Sequence, residues 1–437
     1  MNSSFLERKF SLTKRGTNAR TEFLAGLTTF MTMSYILIVN PTMLGKAGMD
    51  QGGVFTATII SSVIAMLFMG LYANFPFALS AGMGLNAFFT FSIVIGMGHD
   101  WSYALTAVFL EGIIFIFLSI FKVREALFKA IPLQLKNAVS VGIGLFIAMI
   151  GATNSGIIVA NESTFLALGN LVSKEVLVTF FSLLIMGILS AKKVKGALLY
   201  GIIGGTILGL ILGVTQLPSQ GILSLPPSLK PVAFKLHWDN IFTLDMFSVM
   251  FTFLFVDIFD TLGTITGVAT KANMLDEKGN LPGIGKALLS DAIGTVVGAL
   301  LGTSTITTFV ESASGVTDGG RTGLTSLSVA FFFFLSLFLF PLFSIVPSQA
   351  TAAALIIVGL FMMSPIKNID LDDYTESLPA FLTIIMMPFA YSIAEGISIG
   401  MISYVFLKVT TGKYKDVSPV MYILAIVFIV AKQRNFS

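Results

Sequence analysis

The sequence predicts an all-α polytopic membrane protein of about 14 transmembrane segments, arranged as two inverted halves of seven. Three observations predict it. The first is composition: of 437 residues, 55% are hydrophobic and only 11% are charged, and mean hydropathy is +0.90. Soluble domains carry about 25% charged residues. The second is pattern. Apolar runs of roughly 18–22 residues recur from Phe23 to near the C-terminus, the length a helix needs to cross a bilayer. The third is charge placement. With the N-terminus in the cytoplasm, 22 of the 26 Lys and Arg residues fall in loops on that side.

Taken in order, the first 22 residues are polar and basic. They show no apolar signal-peptide core and no small-residue cleavage site before Phe23. Apolar segments are expected at about 23–40, 54–72, 78–95, 101–121, 136–152, 174–191 and 195–214. A polar, Pro-containing loop spans roughly 215–244. The second series is expected at about 245–269, 283–301, 304–318, 322–344, 348–364, 378–393 and 395–411. Inside loops then hold residues such as Arg15, Lys122, Arg124, Lys129, Lys195, Lys278 and Arg321, and outside loops hold Lys46, Lys174, Lys230 and Lys235. Both termini are expected in the cytoplasm of a cell-membrane protein. A leftover apolar run, 418–432, would carry Lys432 and Arg434 outside if it crossed. It is therefore read as an interfacial or re-entrant helix.

An odd number of spans per half turns the two halves to opposite orientations, as in many secondary transporters. The spacing agrees: Thr32 to Asn86 and Asp257 to Glu311 are both 54 residues. Asn86 and Glu311 each lie in the third segment of their half. Both segments are short and interrupted, by Pro76, Gly82 and Gly84 in one and by Gly302 and Gly315 in the other. Interrupted segments at corresponding positions point to a midplane binding site.

The stretch Gly302 to Gly323, GTSTITTFVESASGVTDGGRTG, carries most of the polar character. Thr303–Val310 is rich in β-branched residues and favours extended backbone. A short helix headed by Glu311 should follow. Non-helical backbone at membrane depth is tolerated only when it is buried in protein or lines a cavity. The bland alternative is a surface loop with Glu311 solvated; the flanking apolar runs leave little chain for one. In FTFLFVDIFDTLGTITG, Asp257 and Asp260 are three apart and share a helix face. Like charges in a dry site resist joint ionisation, so this pair wants a proton, a partner or a cavity. A purely structural, hydroxyl-bonded pair is the alternative. Glu111 and Asp291 are expected to anchor helices through hydrogen bonds, and Glu395 to be solvated at a helix boundary. Phe30, Phe88 and Phe309 could stack on a flat ring.

Several classes are disfavoured. The chain has no cysteine, and its two histidines, His99 and His237, fall in predicted loops. No metal-ligand set, nucleophile–base pair or filter-like repeat suggests an enzyme or a channel. The net charge of +3 reflects topology signals and leaves no nucleic-acid footprint.

FVDIFDTLGT, ESASGVTDGGRTGLTSL about fifty residues later, and SAGMGLNAFF together resemble the nucleobase–cation symporter family of uracil and xanthine permeases. They are most similar to its AzgA-like branch of adenine, guanine and hypoxanthine permeases. The resemblance covers nearly the whole chain. It implies a core domain (1–121 and 245–345) and a gate domain (122–244 and 346–437, including the C-terminal interfacial helix). It also implies short antiparallel strands in segments three and ten. Asn86, Asp257 and Glu311 match that branch's substrate-binding polar residues, and Asp260 a further functional acid. The uracil and xanthine branches carry a glutamate in segment eight where this chain has aspartate, which favours purines.

The expected activity is import of a purine nucleobase by cation symport with alternating access. Asn86, Asp257, Glu311, Ser312, Thr32 and Phe309 are the expected binding residues. Asp260, Asp257 and Glu311 are the expected proton carriers, since no membrane histidine is present. Carboxylates accept from purine N–H groups, and the Asn86 amide both donates and accepts. No cofactor and no metal are expected beyond a coupling proton, with sodium as its competitor. The expected partners are the nucleobase and the bilayer, with room for a homodimer. The rival reading is an anion transporter of the sulfate-permease type, which several membrane acids oppose.

Overall fold

The computed structural model describes residues 5–121, 131–217, 221–239, 241–276 and 281–434. Lys122, Arg124, Lys129 and Lys278 lie outside the described residues, as do the side chains of Lys432 and Arg434. A short helix α1 (Phe5–Phe10) precedes α2 (Ala19–Met33), which the Asn18 side chain caps by accepting from Thr21 N–H. The span then breaks at Ser34–Tyr35 and resumes as α3 (Ile36–Lys46), where Pro41 removes a helical donor. The helix α4 (Gln51–Phe68) continues as a π-wound turn, Met69–Ala73.

Asn74 ends that helix in the left-handed conformation at φ 57°, which asparagine tolerates. Its side chain accepts from Gly323 N–H at 2.8 Å. Phe75 precedes a proline and is biased to extended backbone, so the chain leaves the turn ready to form β1 (Leu79–Ala81). A five-residue helix, α5 (Met83–Ala87), follows and runs into the π-wound stretch Phe88–Gly96. Next come α6 (Trp101–Ile120), α7 (Leu133–Asn154), a hairpin of β2 (Ile158–Asn161) and β3 (Phe165–Leu168), α8 (Lys174–Ala191) and α9 (Ala197–Leu212).

The second series opens with α10 (Leu244–Lys271) and α11 (Ile284–Leu301). Gly302 closes α11 at φ 98°, and a Cβ there would come within 2.5 Å of Val232. Only glycine fits that stop. After it the β-branched run extends into β4 (Ile306–Thr308), then α12 (Ser312–Thr317) and α13 (Gly323–Ser336). The remaining helices are α14 (Phe340–Ser344), α15 (Ser348–Met362), α16 (Tyr374–Phe389), α17 (Ile393–Thr410) and α18 (Pro419–Arg434).

Ten helices among the described residues are long and apolar enough to cross a membrane. The expected segments at 78–95 and 304–318 are not among them, because each holds a strand and a short helix. Those at 195–214 and 378–393 fall on the shorter helices α9 and α16. The run at 418–432 is helical, as α18.

The strands β1 and β4 pair antiparallel, with Leu79 opposite Thr308 and Ala81 opposite Ile306. The ladder extends beyond them: Gly82 N–H donates to Thr305 O at 3.0 Å and Phe309 N–H to Ala78 O at 2.9 Å. Every residue of both strands is buried, so this two-stranded ribbon sits inside the helices. Packing falls into two groups. In one, α2 contacts α12 and α13, α4 contacts α3, α11 and α13, and α6 contacts α10 and α11. In the other, α7 contacts α15 and α16, α8 contacts α9 and α15, and α16 contacts α17. The halves of the sequence therefore interleave in both groups.

Candidate functional site

Several of the polar residues singled out above lie at the ribbon or its flanks. Asn86, in α5, is fully buried, and its Oδ1 accepts from the Ser304 hydroxyl just ahead of β4. Its Nδ2 has no hydrogen-bond partner. A buried donor left unmet costs about 1–3 kcal/mol. Thr308, at the end of β4, likewise has a buried hydroxyl without a partner.

Glu311 stands at the head of α12, as the sequence suggests, but makes no side-chain cap of its own. Its Oε1 accepts from the Tyr35 hydroxyl at 2.8 Å. Tyr35 is 2% exposed and lies at the break between α2 and α3. Gly315 lets α12 settle on α2: a Cβ there would stand 2.3 Å from Thr29 Oγ1 and 2.5 Å from Ala25 O. The broken first span and the short helix are thus locked together through their backbones.

Asp257 and Asp260 lie on α10 but meet different partners. Asp257 Oδ1 accepts from Thr261 at 2.9 Å, one turn along the same helix. The same hydroxyl lies 3.2 Å from both carboxylate oxygens of Asp291 on α11. Asp260 faces Thr307 of β4 over a long contact of 3.4 Å. The described partners of Asp260 and Glu311 are neutral hydroxyls.

The other expected residues are placed as follows. Ser312 Oγ accepts from Ala78 N–H at 2.9 Å, so it ties the approach to the first strand to the head of α12. Phe309 is 5% exposed at the end of the ladder. Thr32 donates to Thr28 O and Thr29 O of its own helix and is not tied to Asn86, Asp257 or Glu311 by a described bond. Glu111 and Asp291 are fully buried and reached by Thr305 and Thr261, in keeping with an anchoring role. Glu395 is only half-buried, in the first turn of α17. His99 and His237 lie in loops. Among the described residues no cluster of His, Cys, Asp and Glu could hold a metal ion.

Sequence reasoning missed Tyr35, Ser304 and the Thr261 bridge. Thr261 was within reach, since a hydroxyl four residues after Asp257 shares its helix face. It also missed Glu22. That fully buried carboxylate accepts from the backbone of Arg321, Thr322 and Thr325 and from the Thr325 hydroxyl, satisfying the free donors at the start of α13.

The transmembrane domain of a cyanobacterial bicarbonate transporter, BicA, superposes with a TM-score of 0.64 at 17% identity, covering 86% of this chain and 97% of that one. That likeness concerns the fold alone. The adenine permease AdeP of Escherichia coli is 45% identical over 424 residues, covering 97% of this chain and 95% of AdeP. The guanine/hypoxanthine permease PbuG of Bacillus subtilis is 46% identical over 431 residues, covering 96% of this chain and 98% of PbuG. A family model described as the permease family matches residues 20–399. The chain belongs to that permease family, and is a transporter rather than an enzyme.

Proposed function

We propose that the chain imports purine nucleobases by proton symport, with alternating access about a fixed site beside the strand ribbon. The observation that carries this reading is the presence, beside one buried ribbon, of an amide donor without a partner and of carboxylates that accept from hydroxyls. A purine ring offers acceptors for Asn86 Nδ2 and N–H donors for Asp257 and Glu311. Anions are poorly served by such a set, which argues against a sulfate-permease activity despite the shared fold. The names of AdeP and PbuG point to the same substrate class. Asp260 is the proposed proton carrier, because Asp257 and Glu311 are better placed to hold substrate. The two packing groups, each drawn from both halves of the sequence, support a core domain moving against a gate domain; a seven-plus-seven inverted repeat is the arrangement we propose for them.

Uptake of radiolabelled hypoxanthine into proteoliposomes tests this, with unlabelled adenine, guanine, xanthine and uracil as competitors. Purines should compete and uracil should not. A proton gradient without sodium should drive accumulation; accumulation driven only by sodium at equal pH sinks the proton assignment. The proposed orientation places both termini inside and Lys230 outside, motivated by the 22-to-4 asymmetry of basic residues. A cysteine at position 230 should react with an impermeant reagent added to intact cells. Reaction only after the cytoplasm is opened would reverse the topology.

A further inference from the structure

A cavity of about 410 Å³ lies beside the first turns of α10, and none of its lining residues belongs to the ribbon. Its lining includes Phe88 and Ser92 from the π-wound stretch, Ser248 and Thr252 from α10, and Tyr391 and Glu395 from the α16–α17 turn. The volume falls in the range of about 300–1,000 Å³ seen for small-molecule sites. Two observations say more than volume. Ser92 is 3% exposed, and its hydroxyl has no hydrogen-bond partner. Tyr391 is held at φ 53°, a left-handed conformation that bulky residues avoid. Its ring meets Phe91 at 6.1 Å and Phe146 at 5.4 Å, both nearly perpendicular. Strained backbone of this kind persists where surrounding structure over-determines it, often at ligand clamps.

We propose that this cavity is a second nucleobase-docking site, in series with the one at the ribbon. The inference rests on the reading of the chain as a nucleobase transporter and goes beyond it. Aromatic side chains at Phe88 and Tyr391 suit a flat heterocycle. Hydroxyls at Ser92 and Ser248 meet its ring nitrogens and carbonyls; the Thr252 hydroxyl, which donates to Ser248 O, can accept from a ring N–H, as can the Glu395 carboxylate. The position is also right for a series arrangement. Thr252 is five residues before Asp257 on one helix, or about 7.5 Å along its axis, and Phe88 is two residues after Asn86. A purine leaving the cavity along α10 arrives at the ribbon.

The chain has no native cysteine, so a single Ser248→Cys reports on the cavity. The purified protein in detergent is treated with a methanethiosulfonate reagent, and modification is followed by mass spectrometry as hypoxanthine is raised. Hypoxanthine should slow modification at least fivefold. It should do so equally in Ser248→Cys combined with Asp257→Asn, which should not transport. If protection disappears with Asp257→Asn, it came from the ribbon site and the second site does not exist. Absence of protection in both, where the single Ser248→Cys variant still transports, has the same meaning. If no purine is transported by the native chain, the transport reading fails on its own, while protection of the cysteine would still support the cavity site. Met97→Cys, on the same lining, gives the measurement should Ser248→Cys not fold.

Discussion

The strands Leu79–Ala81 and Ile306–Thr308 have equal length, pair with each other and are each followed by a short helix. What surrounds them differs. The first is entered through Asn74 and a proline, the second through Gly302. After the first, helical backbone runs on for 14 residues, Met83–Gly96, almost all apolar, with Asn86 as its amide. After the second, α12 stops after six residues at Asp318, having started from a carboxylate. Even the paired positions diverge. Ser80 accepts from the Ser62 hydroxyl at 2.9 Å, whereas Thr307, directly opposite, reaches the Asp260 carboxylate. The two regions share the scaffold, but acidic groups cluster on the second. One strand contributes shape and an amide; the other contributes acids and the hydroxyls that orient them.

If that division is functional, the largest effect should come from the acid nearest the second strand. Asp260→Asn keeps the shape and removes a charge that can be protonated and released. Downhill exchange of hypoxanthine should survive, and accumulation against a gradient should be lost. The comparison to make is uphill uptake against counterflow in the same vesicles. Undiminished accumulation by the Asn variant moves the coupling role to Asp257 or Glu311.

The first strand's share of the chemistry is smaller, and Asn86→Ala measures it. Both the Ser304 contact and the unmet Nδ2 donor disappear together. The expected loss is about 1–3 kcal/mol of purine binding, or roughly 5–150-fold in Kd. Thermal stability should change less, because loss of the Ser304 contact is offset by removal of a buried donor that had no partner. Equal affinity in a stable Ala variant would leave the first strand with a scaffold role only.

The sequence exposed much of this division, for physical reasons. Asp257, Asp260 and Glu311 stand out because a carboxylate in an apolar run is costly. The extended stretch before Glu311 stands out because β-branched residues after a glycine stop do not continue a helix. The pairing of the two strands was legible only by resemblance, since three-residue strands carry too little pattern to register. Tyr35 was hidden for a different reason. It sits in the apolar run TMSYILIVN and adds little polarity to it, and its role depends on a partner 276 residues away. Thr32 attracted notice through an equal spacing, yet its hydroxyl turned out to serve its own helix. Spacing reports which segments correspond, not where a side chain finds its partner.

Tyr35 gives the smallest and most selective test. Its hydroxyl occupies Glu311 Oε1 and leaves the other carboxylate oxygen to accept from substrate. Tyr35→Phe keeps the ring and its packing and frees the second oxygen. A neutral hydrogen bond contributes about 0.5–1.5 kcal/mol net, so hypoxanthine KM should rise roughly 2–12-fold, with the maximal rate little changed. The order of purines should change as well. A carboxylate with two free oxygens can accept a second N–H, so guanine and adenine, which carry an exocyclic amino group, should lose less than hypoxanthine. A purely structural tyrosine would weaken all three alike and lower the amount of folded protein. The measurement is therefore KM for the three purines in native and Phe variants at matched protein levels. A uniform change across the three removes Tyr35 from the positioning of Glu311.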